Sequence, residues 1–353
     1  MTWRGVTNDA RGQQVKWSET MIESPSVAIV IPAFNEERVI AKCLDSCIDQ
    51  TSLADEIIVV NNRSTDGTAS IVRRYQTENP HINIRLLNQD EHQGIAPTRN
   101  CGFDNVRSDV IGRIDADSIV AHDWVATIRR CFADPAIDAA TGPVLYYDMP
   151  MRGLFFRIDH MTRTRLHRNA TDQRFLLGSN MAIRTSAWQA VRHLTRLDLE
   201  DLLHEDIDLA VTLFKNNFEV AYEPALVAGM SGRRVESAPR DFYRYSTRYL
   251  RTTKAHGVNS GTALITIFIL LLGYFPVRTL RFFYDVENNR FTLSKLRGKL
   301  AEMGRRVGGA VRRDVQRATG RVPVGEPRLL IPHEAPHAVR YAEVPDEVRG
   351  HAA

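Results

Sequence analysis

The stretch Val110-Ile111-Gly112-Arg113-Ile114-Asp115-Ala116-Asp117-Ser118-Ile119-Val120 decides how the rest of the chain is read. An apolar run, interrupted only by Gly112 and Arg113, delivers two carboxylates and then turns apolar again. Read as a buried strand, it releases Asp115 and Asp117 at its C-terminal end, where open α/β sheets bind their ligands. Acids spaced i, i+2 across a small residue can both approach one cation from a loop. Hard oxygen donors of this kind suit Mg²⁺ or Mn²⁺ held jointly with substrate phosphates. Taken alone, the triplet reads more readily as a turn or helix cap, so its meaning rests on what flanks it.

Upstream, residues 27–31 are continuously apolar and end at Pro32, the pattern of a first buried strand. A polar loop follows, Pro32-Ala33-Phe34-Asn35-Glu36-Glu37, and then Val39, Ile40, Cys43, Leu44 and Cys47 recur with helical spacing. Residues 57–60 repeat the strand, Asn61 to Thr68 the loop, and Ile71, Val72 and Tyr75 the helix. A third strand over 82–87 and a helix over 96–106 lead to the strand that ends at Asp115. Beyond it the pattern predicts a helix over 124–132, an extended segment over 139–147 and a basic helix over 152–168. A loop and short strand over 178–184 and a helix over 204–214 follow. Strands alternating with helices imply a mostly parallel, Rossmann-like α/β sheet flanked by helices. Strand ends on one edge then bring Asn35, Asn61 and Asp115 together.

With 353 residues, 43% hydrophobic and 25% charged, the chain has ample core and an ordinary globular balance. The net charge of +4 is unevenly placed, because Arg accumulates from Arg278 onward. Cys43, Cys47, Cys101 and Cys131 show no Cys-x-x-Cys spacing and read as core thiols of a reducing compartment. The N-terminus has no hydrophobic segment of signal-peptide type, so export of the domain that follows is not expected.

In this order the motifs resemble those of the family 2 glycosyltransferases, enzymes of the GT-A fold, over roughly 27–250. Pro32-Ala33-Phe34-Asn35-Glu36-Glu37 is similar to the family's first nucleotide-binding loop, and Asn61-Asn62-Arg63-Ser64-Thr65-Asp66-Gly67 to its second. The family carries an aspartate against the nucleobase where this chain has Asn61. Gly94 followed by Arg99-Asn100 matches a further family element, Asp115-Ala116-Asp117 the metal-binding Asp-x-Asp, and Glu205-Asp206 an acidic pair whose second member is the catalytic base. The resemblance implies donor-nucleotide binding by Pro32, Ala33, Asn35, Glu36, Asn61, Arg99, Asp115 and Ala116, with Mg²⁺ or Mn²⁺ on Asp117 and Asp115. It implies an acceptor side formed by Gly178, Ser179, Asn180, Glu205 and Arg248, and Asp206 as base. Processive members carry Gln-x-x-Arg-Trp near Arg248-Tyr249; the Gln and Trp are missing here, so a processive polymerase is not expected.

The domain organisation expected is a polar lead-in over 1–25 and a GT-A domain over 26–250, divided at 120 into a nucleotide-sugar half and an acceptor half. An apolar segment over 257–277 and an Arg-rich, partly disordered tail over 278–353 complete it. The apolar segment contains no charged side chain and has the length of a bilayer-spanning helix. Basic residues on both sides, Arg251 and Lys254 before and Arg278 and Arg281 after, oppose a single span, leaving a re-entrant or interfacial placement. The expected activity is inverting transfer of a sugar from a nucleotide-diphosphate sugar to a glycan or lipid-linked acceptor at the cytosolic membrane face. A nucleotidyltransferase would need a Gly-rich basic loop after strand one, which the first loop does not offer. A carbohydrate-binding scaffold would not need both Asp117 and Asp206. Tyr, Phe and Arg alternate over 240–251 without any RNA- or DNA-binding motif, so nucleic acid is not an expected partner.

Overall fold

The computed structural model describes residues 4–8, 14–18, 24–170, 174–258, 261–286 and 288–293; the expected disordered tail lies, beyond 293, outside the described residues. The lead-in contains an antiparallel hairpin, β1 (Arg4–Asn8) and β2 (Gln14–Ser18). The main domain begins with β3 (Val27–Ala33), α1 (Ile40–Ile48), β4 (Glu56–Asn61), α2 (Thr68–Glu78), β5 (Ile84–Asn88), α3 (Ile95–Asp104) and β6 (Val110–Arg113). It continues with β7 (Ile119–Val120), α4 (Trp124–Cys131), β8 (Ala139–Thr141), β9 (Val144–Tyr146), α5 (Arg152–Arg168), β10 (Met181–Arg184) and α6 (Thr185–Val191). Then come α7 (Glu205–Lys215), β11 (Val220–Tyr222), β12 (Ala228–Met230), a 3₁₀ turn over Gly232–Glu236, α8 (Pro239–His256), α9 (Gly261–Phe282), β13 (Tyr284–Asp285) and β14 (Arg290–Phe291).

Seven strands form the central sheet in the order β11-β8-β10-β6-β3-β4-β5. The four from β6 to β5 are parallel, and β10 enters antiparallel to both its neighbours. A second small sheet, β7-β12-β9, lies beside it.

The period of two along a strand sorts these apolar runs onto opposite faces. Val27, Ile29, Ile31, Ile57 and Val59 join a core with α1, α2 and α4, whereas Val30, Ile58 and Val60 join one with Phe103 of α3, Trp188 of α6 and Leu209 of α7. Both faces are covered, which is why β3 and β4 read as unbroken apolar runs. Gly112 gains its meaning from this packing. A Cβ there would lie 2.5 Å from the Trp124 ring, so the missing side chain lets α4 close onto β6.

The strand β3 runs two residues past its expected end at Ile31, through Pro32 to Ala33. Pro32 pairs in register with Val60 and Ala33 with Asn61, and both are buried. Pro32 costs no ladder bond, because β6 pairs with β3 only as far as Val30. The side of Pro32 that faces β6, the side on which the Val30 carbonyl accepts from the Ile114 N–H, has no strand left to bond.

The expected basic helix forms as α5, and the expected apolar segment forms α9, which continues past 277 to Phe282. Among the described residues no helix is long and apolar enough to cross a membrane. Tyr274 and Arg278 of α9 both donate to the Ser237 carbonyl, and the Phe242 and Tyr274 rings lie 4.5 Å apart. These contacts hold α9 against α8 and the 3₁₀ turn.

Candidate active site

The C-terminal ends of β3, β4 and β6 open onto one edge, and the loops that leave them tie to one another. Asn35, in the left-handed region at φ 54°, accepts from the Thr65 N–H at 2.8 Å and donates its own N–H to Ser64. Glu36 donates its N–H to the Thr68 hydroxyl at 2.8 Å, and Glu37 accepts from the Gly67 N–H at 2.8 Å. The two polar loops form one unit. Asn61 accepts from the Ser64 N–H and donates to Asn88, and Asn62 secures the β5–α3 connection through Gln89, His92 and Gly94.

After β6 the chain turns through the Ser118 N–H, which donates to the Asp115 carbonyl at 3.0 Å. Two arginines then distribute the acids. Arg113, almost fully buried, reaches both the Asp115 and Glu205 carboxylates at 3.0 Å. Arg233, from the 3₁₀ turn, places Nε 2.9 Å from Asp117 Oδ2 and its terminal nitrogens 2.9 and 2.6 Å from the two oxygens of Glu36. The Tyr147 hydroxyl donates to the Asp117 carbonyl at 2.9 Å.

Glu205 and Asp206 open α7, where the positive end of the helix dipole favours acids. Their environments push them apart. Burial raises the Glu205 carboxyl, but Arg113 and Arg99 outweigh it and hold the group below its usual value. Asp206 is raised, first by burial and then by the charge of Glu205. Its Oδ2 accepts from the Gly178 N–H and its Oδ1 from the Ile207 N–H, each at 2.9 Å. Asp117 is pushed up to about 6 by burial and by Asp115, against the pull of Arg233. Asp115 is also raised, chiefly by burial.

The structure thus gathers Asn35, Glu36, Asp115, Asp117, Glu205 and Asp206 around one edge, with Gly178 against Asp206. Gly178 has no room for a side chain, since a Cβ would stand 1.4 Å from an Arg113 nitrogen. Other expected site residues lie deeper. Ala116 is buried. Arg99 is fully buried beneath α7, bonded to the Glu205 carbonyl at 2.7 Å and to Asn100. From there it supports the first turn of α7 at Glu205. Asn180, also fully buried, spends its amide on the Pro143 and Leu226 carbonyls and the Trp124 indole. Ser179 is buried with its hydroxyl toward Met230, and Arg248 pairs with both oxygens of Asp201.

Sequence reading missed Arg113 and Arg233. Arg113 carried a signal, a charged residue inside a buried apolar strand next to two acids, where a buried cation demands a partner. Arg233 carried none, for it meets Glu36 across 197 residues of chain.

Residues 28–193 match the family model described as glycosyl transferase family 2. The glycosyltransferase GlyA of Streptococcus pneumoniae is 30% identical over 137 residues, 38% of this chain and 19% of that protein. The glycosyltransferase AglE of Haloferax volcanii is 31% identical over 122 residues, 34% of this chain and 40% of that protein. The chain therefore spans less than half the length of these curated relatives. A solved mannosyltransferase of Pyrobaculum calidifontis, PcManGT in complex with GDP-Man and Mn²⁺, superposes with a TM-score of 0.55 at 19% identity over 81% of each chain. That likeness concerns the fold. The family match and the mostly parallel sheet lead to one conclusion: residues 28–193 form a glycosyl transferase family 2 domain, carried on a fold of the GT-A type.

Proposed function

We propose that the chain is an inverting glycosyltransferase that moves a sugar from a nucleotide-diphosphate sugar to a hydroxyl of a glycan or lipid-linked acceptor at the cytosolic membrane face. The observation that carries this reading is the division of labour at the sheet edge. Asp117, Asp115 and Glu36 crowd one side, while Asp206, raised in pKa and held by two backbone N–H groups, stands at the head of α7.

The donor set fits a hard divalent cation. Asp115 and Asp117 are carboxylates near enough for the charge of one to raise the pKa of the other. Among the described residues no group of three or more His, Cys, Asp or Glu is placed to hold a metal ion by itself. A site with one or two carboxylates, completed by substrate phosphates, is how Mg²⁺ is usually held. Asp117 and Asp115 would hold Mg²⁺ or Mn²⁺, and the bound ion would supply charge stabilisation to the departing diphosphate. The manganese complex of the Pyrobaculum mannosyltransferase supports a divalent ion.

The chain's own residues do the rest. The paired loops at Asn35–Glu36 and Asn61–Thr68 form the wall against which a nucleotide lies. Arg113 fixes Glu205 and Asp115 relative to each other, so the acidic pair and the Asp-x-Asp turn keep one geometry. Asp206 takes the proton from the acceptor hydroxyl as that oxygen bonds to the anomeric carbon and the bond to the diphosphate breaks. One displacement from the opposite face inverts the centre and needs no covalent enzyme intermediate. A raised pKa strengthens Asp206 as a base near neutral pH, and the Gly178 N–H orients it.

Calorimetry with UDP, GDP and dTDP in the presence and absence of Mn²⁺ tests the reading. One nucleotide is expected to bind with metal-dependent affinity that falls in Asp117→Ala. Equal affinity in chelator would remove the metal, and no binding of any nucleotide would remove the transferase.

A further inference from the structure

Large apolar side chains exposed on the described surface are concentrated on two helices. Met151, Leu154, Ile158 and Met161 stand about half exposed at the head of α5 and along it. Their spacing, i, i+3, i+7 and i+10, puts them on one stripe. The opposite face of α5 packs inward through Phe156 and through His160, whose ring nitrogen meets the Tyr222 hydroxyl. On α9, Leu264, Phe268, Leu272 and Phe275 form a second stripe, 49 to 70% exposed, and Ile269 and Leu270 widen the exposed apolar surface beyond it. Here too one face is committed, with Ile267 and Tyr274 buried.

Scattered apolar residues are normal on a surface, but aligned stripes of this size mark a contact. The two stripes are joined at a buried latch. Arg281, near the end of α9, donates to the carboxylate and carbonyl of Asp148, just ahead of α5, at 2.9 Å each. It also donates to Glu236 at 2.9 Å, while Ser231 and Gly232 bind the same Asp148 carboxylate.

Charge identifies the partner. Arg157, Arg165 and Arg168 are exposed on α5, and its single acid, Asp159, is neutralised by Arg163 at 2.7 Å. A second copy of the chain would bring like charges together on such a face. A negatively charged bilayer complements both the arginines and the apolar stripe.

We propose that α5 and α9 form one docking face that lies in the headgroup layer of an anionic bilayer, with α9 along the interface and not across it. The proposal rests on the reading of the chain as a membrane-side transferase and specifies how it attaches. The last turns of α9 are tied to Ser237, Asp148 and Glu236 of the catalytic domain through Tyr274, Arg278 and Arg281, which keeps that end of the helix beside the domain. The latch makes attachment rigid. Asp148 binds the start of the 3₁₀ turn that carries Arg233 to Asp117, and Glu236 ends it, so the face that meets lipid is mechanically continuous with the donor edge.

The test is flotation of the full chain with phosphatidylcholine vesicles, with and without phosphatidylserine. Binding is expected on the anionic vesicles. The double change Arg157→Gln with Arg165→Gln is expected to weaken it about 25-fold, from roughly a factor of five per arginine. Leu154→Ser with Ile158→Ser, and separately Phe268→Ser with Leu272→Ser, are expected to abolish it while thermal melting is retained, because these side chains are exposed. A depth scan of single cysteines over 264–275, in a Cys101→Ser, Cys131→Ser background, should give shallow lipid quenching with a helical period. A depth that increases steadily along the helix reports a span and overturns the proposal, as does binding unchanged in the α5 variants. Self-association abolished by the serine variants, without vesicle binding, assigns the face to a second copy and also overturns it. Mn²⁺-dependent nucleotide binding without vesicles is measured on the same samples. Its absence would defeat the transferase reading alone, leaving the vesicle result to stand on its own.

Discussion

Asp206 and Glu205 are neighbours in sequence and opposites in chemistry. Arg113 and Arg99 hold Glu205 ionised as a structural acid, whereas burial and the charge of Glu205 leave Asp206 the more basic of the two. Asp206→Asn keeps the shape and one of the two backbone hydrogen bonds while removing the basic oxygen, so kcat should fall by about 10²- to 10⁴-fold with nucleotide affinity preserved. Turnover within a few-fold of the parent would shift the base to Glu205. The rising limb of kcat/KM against pH should lie above the ordinary aspartate value of 3.8, since the base acts only when ionised. Arg233 offers a second residue-scale prediction. Its guanidinium favours the ionised form of Asp117, so Arg233→Ala should raise the Asp117 carboxyl above about 6 in metal-free protein. Carbon-13 chemical shifts of the aspartate carboxyls followed against pH would show it, and an unchanged titration would break the link.

At the scale of the element, the tight approach of α4 to β6 and the anchoring of β4 make separate claims. A methyl group at 112 must displace the buried Trp124 ring, so Gly112→Ala should cost about 1–3 kcal/mol in chemical denaturation. Glu56, at the start of β4, accepts from the Arg107 and Ser108 N–H groups at 2.6 and 3.1 Å and from Arg85 at 2.8 Å. Burial raises its carboxyl, but these donors outweigh burial and hold it below 4.5. Its contribution is therefore complete above pH 4.5 and lost as pH falls through the folded value. Denaturation midpoints should decline over that window, less steeply in Glu56→Gln. The fold was legible at this scale because β3, β4 and β6 are buried on both faces and leave a signal that needs no partner to be seen. The end of β3 was not, because Pro32 becomes acceptable only where β6 has already ended.

For the whole molecule, the surface of α5 and α9 and the reading of the site make one physical prediction. The full-length protein should sediment with membranes, resist release by high salt and be released by detergent, because apolar stripes outlast screening of the arginines. Quantitative recovery in the soluble fraction at low salt would refute attachment. Protection of the described β13–β14 hairpin from protease in sealed vesicles would place it across the bilayer.

The sequence by itself determined the alternation of buried strands and amphipathic helices, the edge at which Asn35, Asn61 and Asp115 emerge, and the family these motifs resemble. Such features are local, since each is written in residues a few positions apart with a fixed period. Only the tertiary structure decided which charged groups face the cleft. Arg99 became a buried support for Glu205, Asn180 a core crosslink, and Arg233 the partner of Asp117 and Glu36. The same is true of the side of α9 that packs on the protein, which its composition does not mark. Its bonds to Ser237, Asp148 and Glu236 hold that side inward and leave Leu264, Phe268, Ile269, Leu270, Leu272 and Phe275 exposed. The physical reason is common to all of them: a side chain's partner across the fold is set by packing, and packing brings together residues that no window of sequence contains.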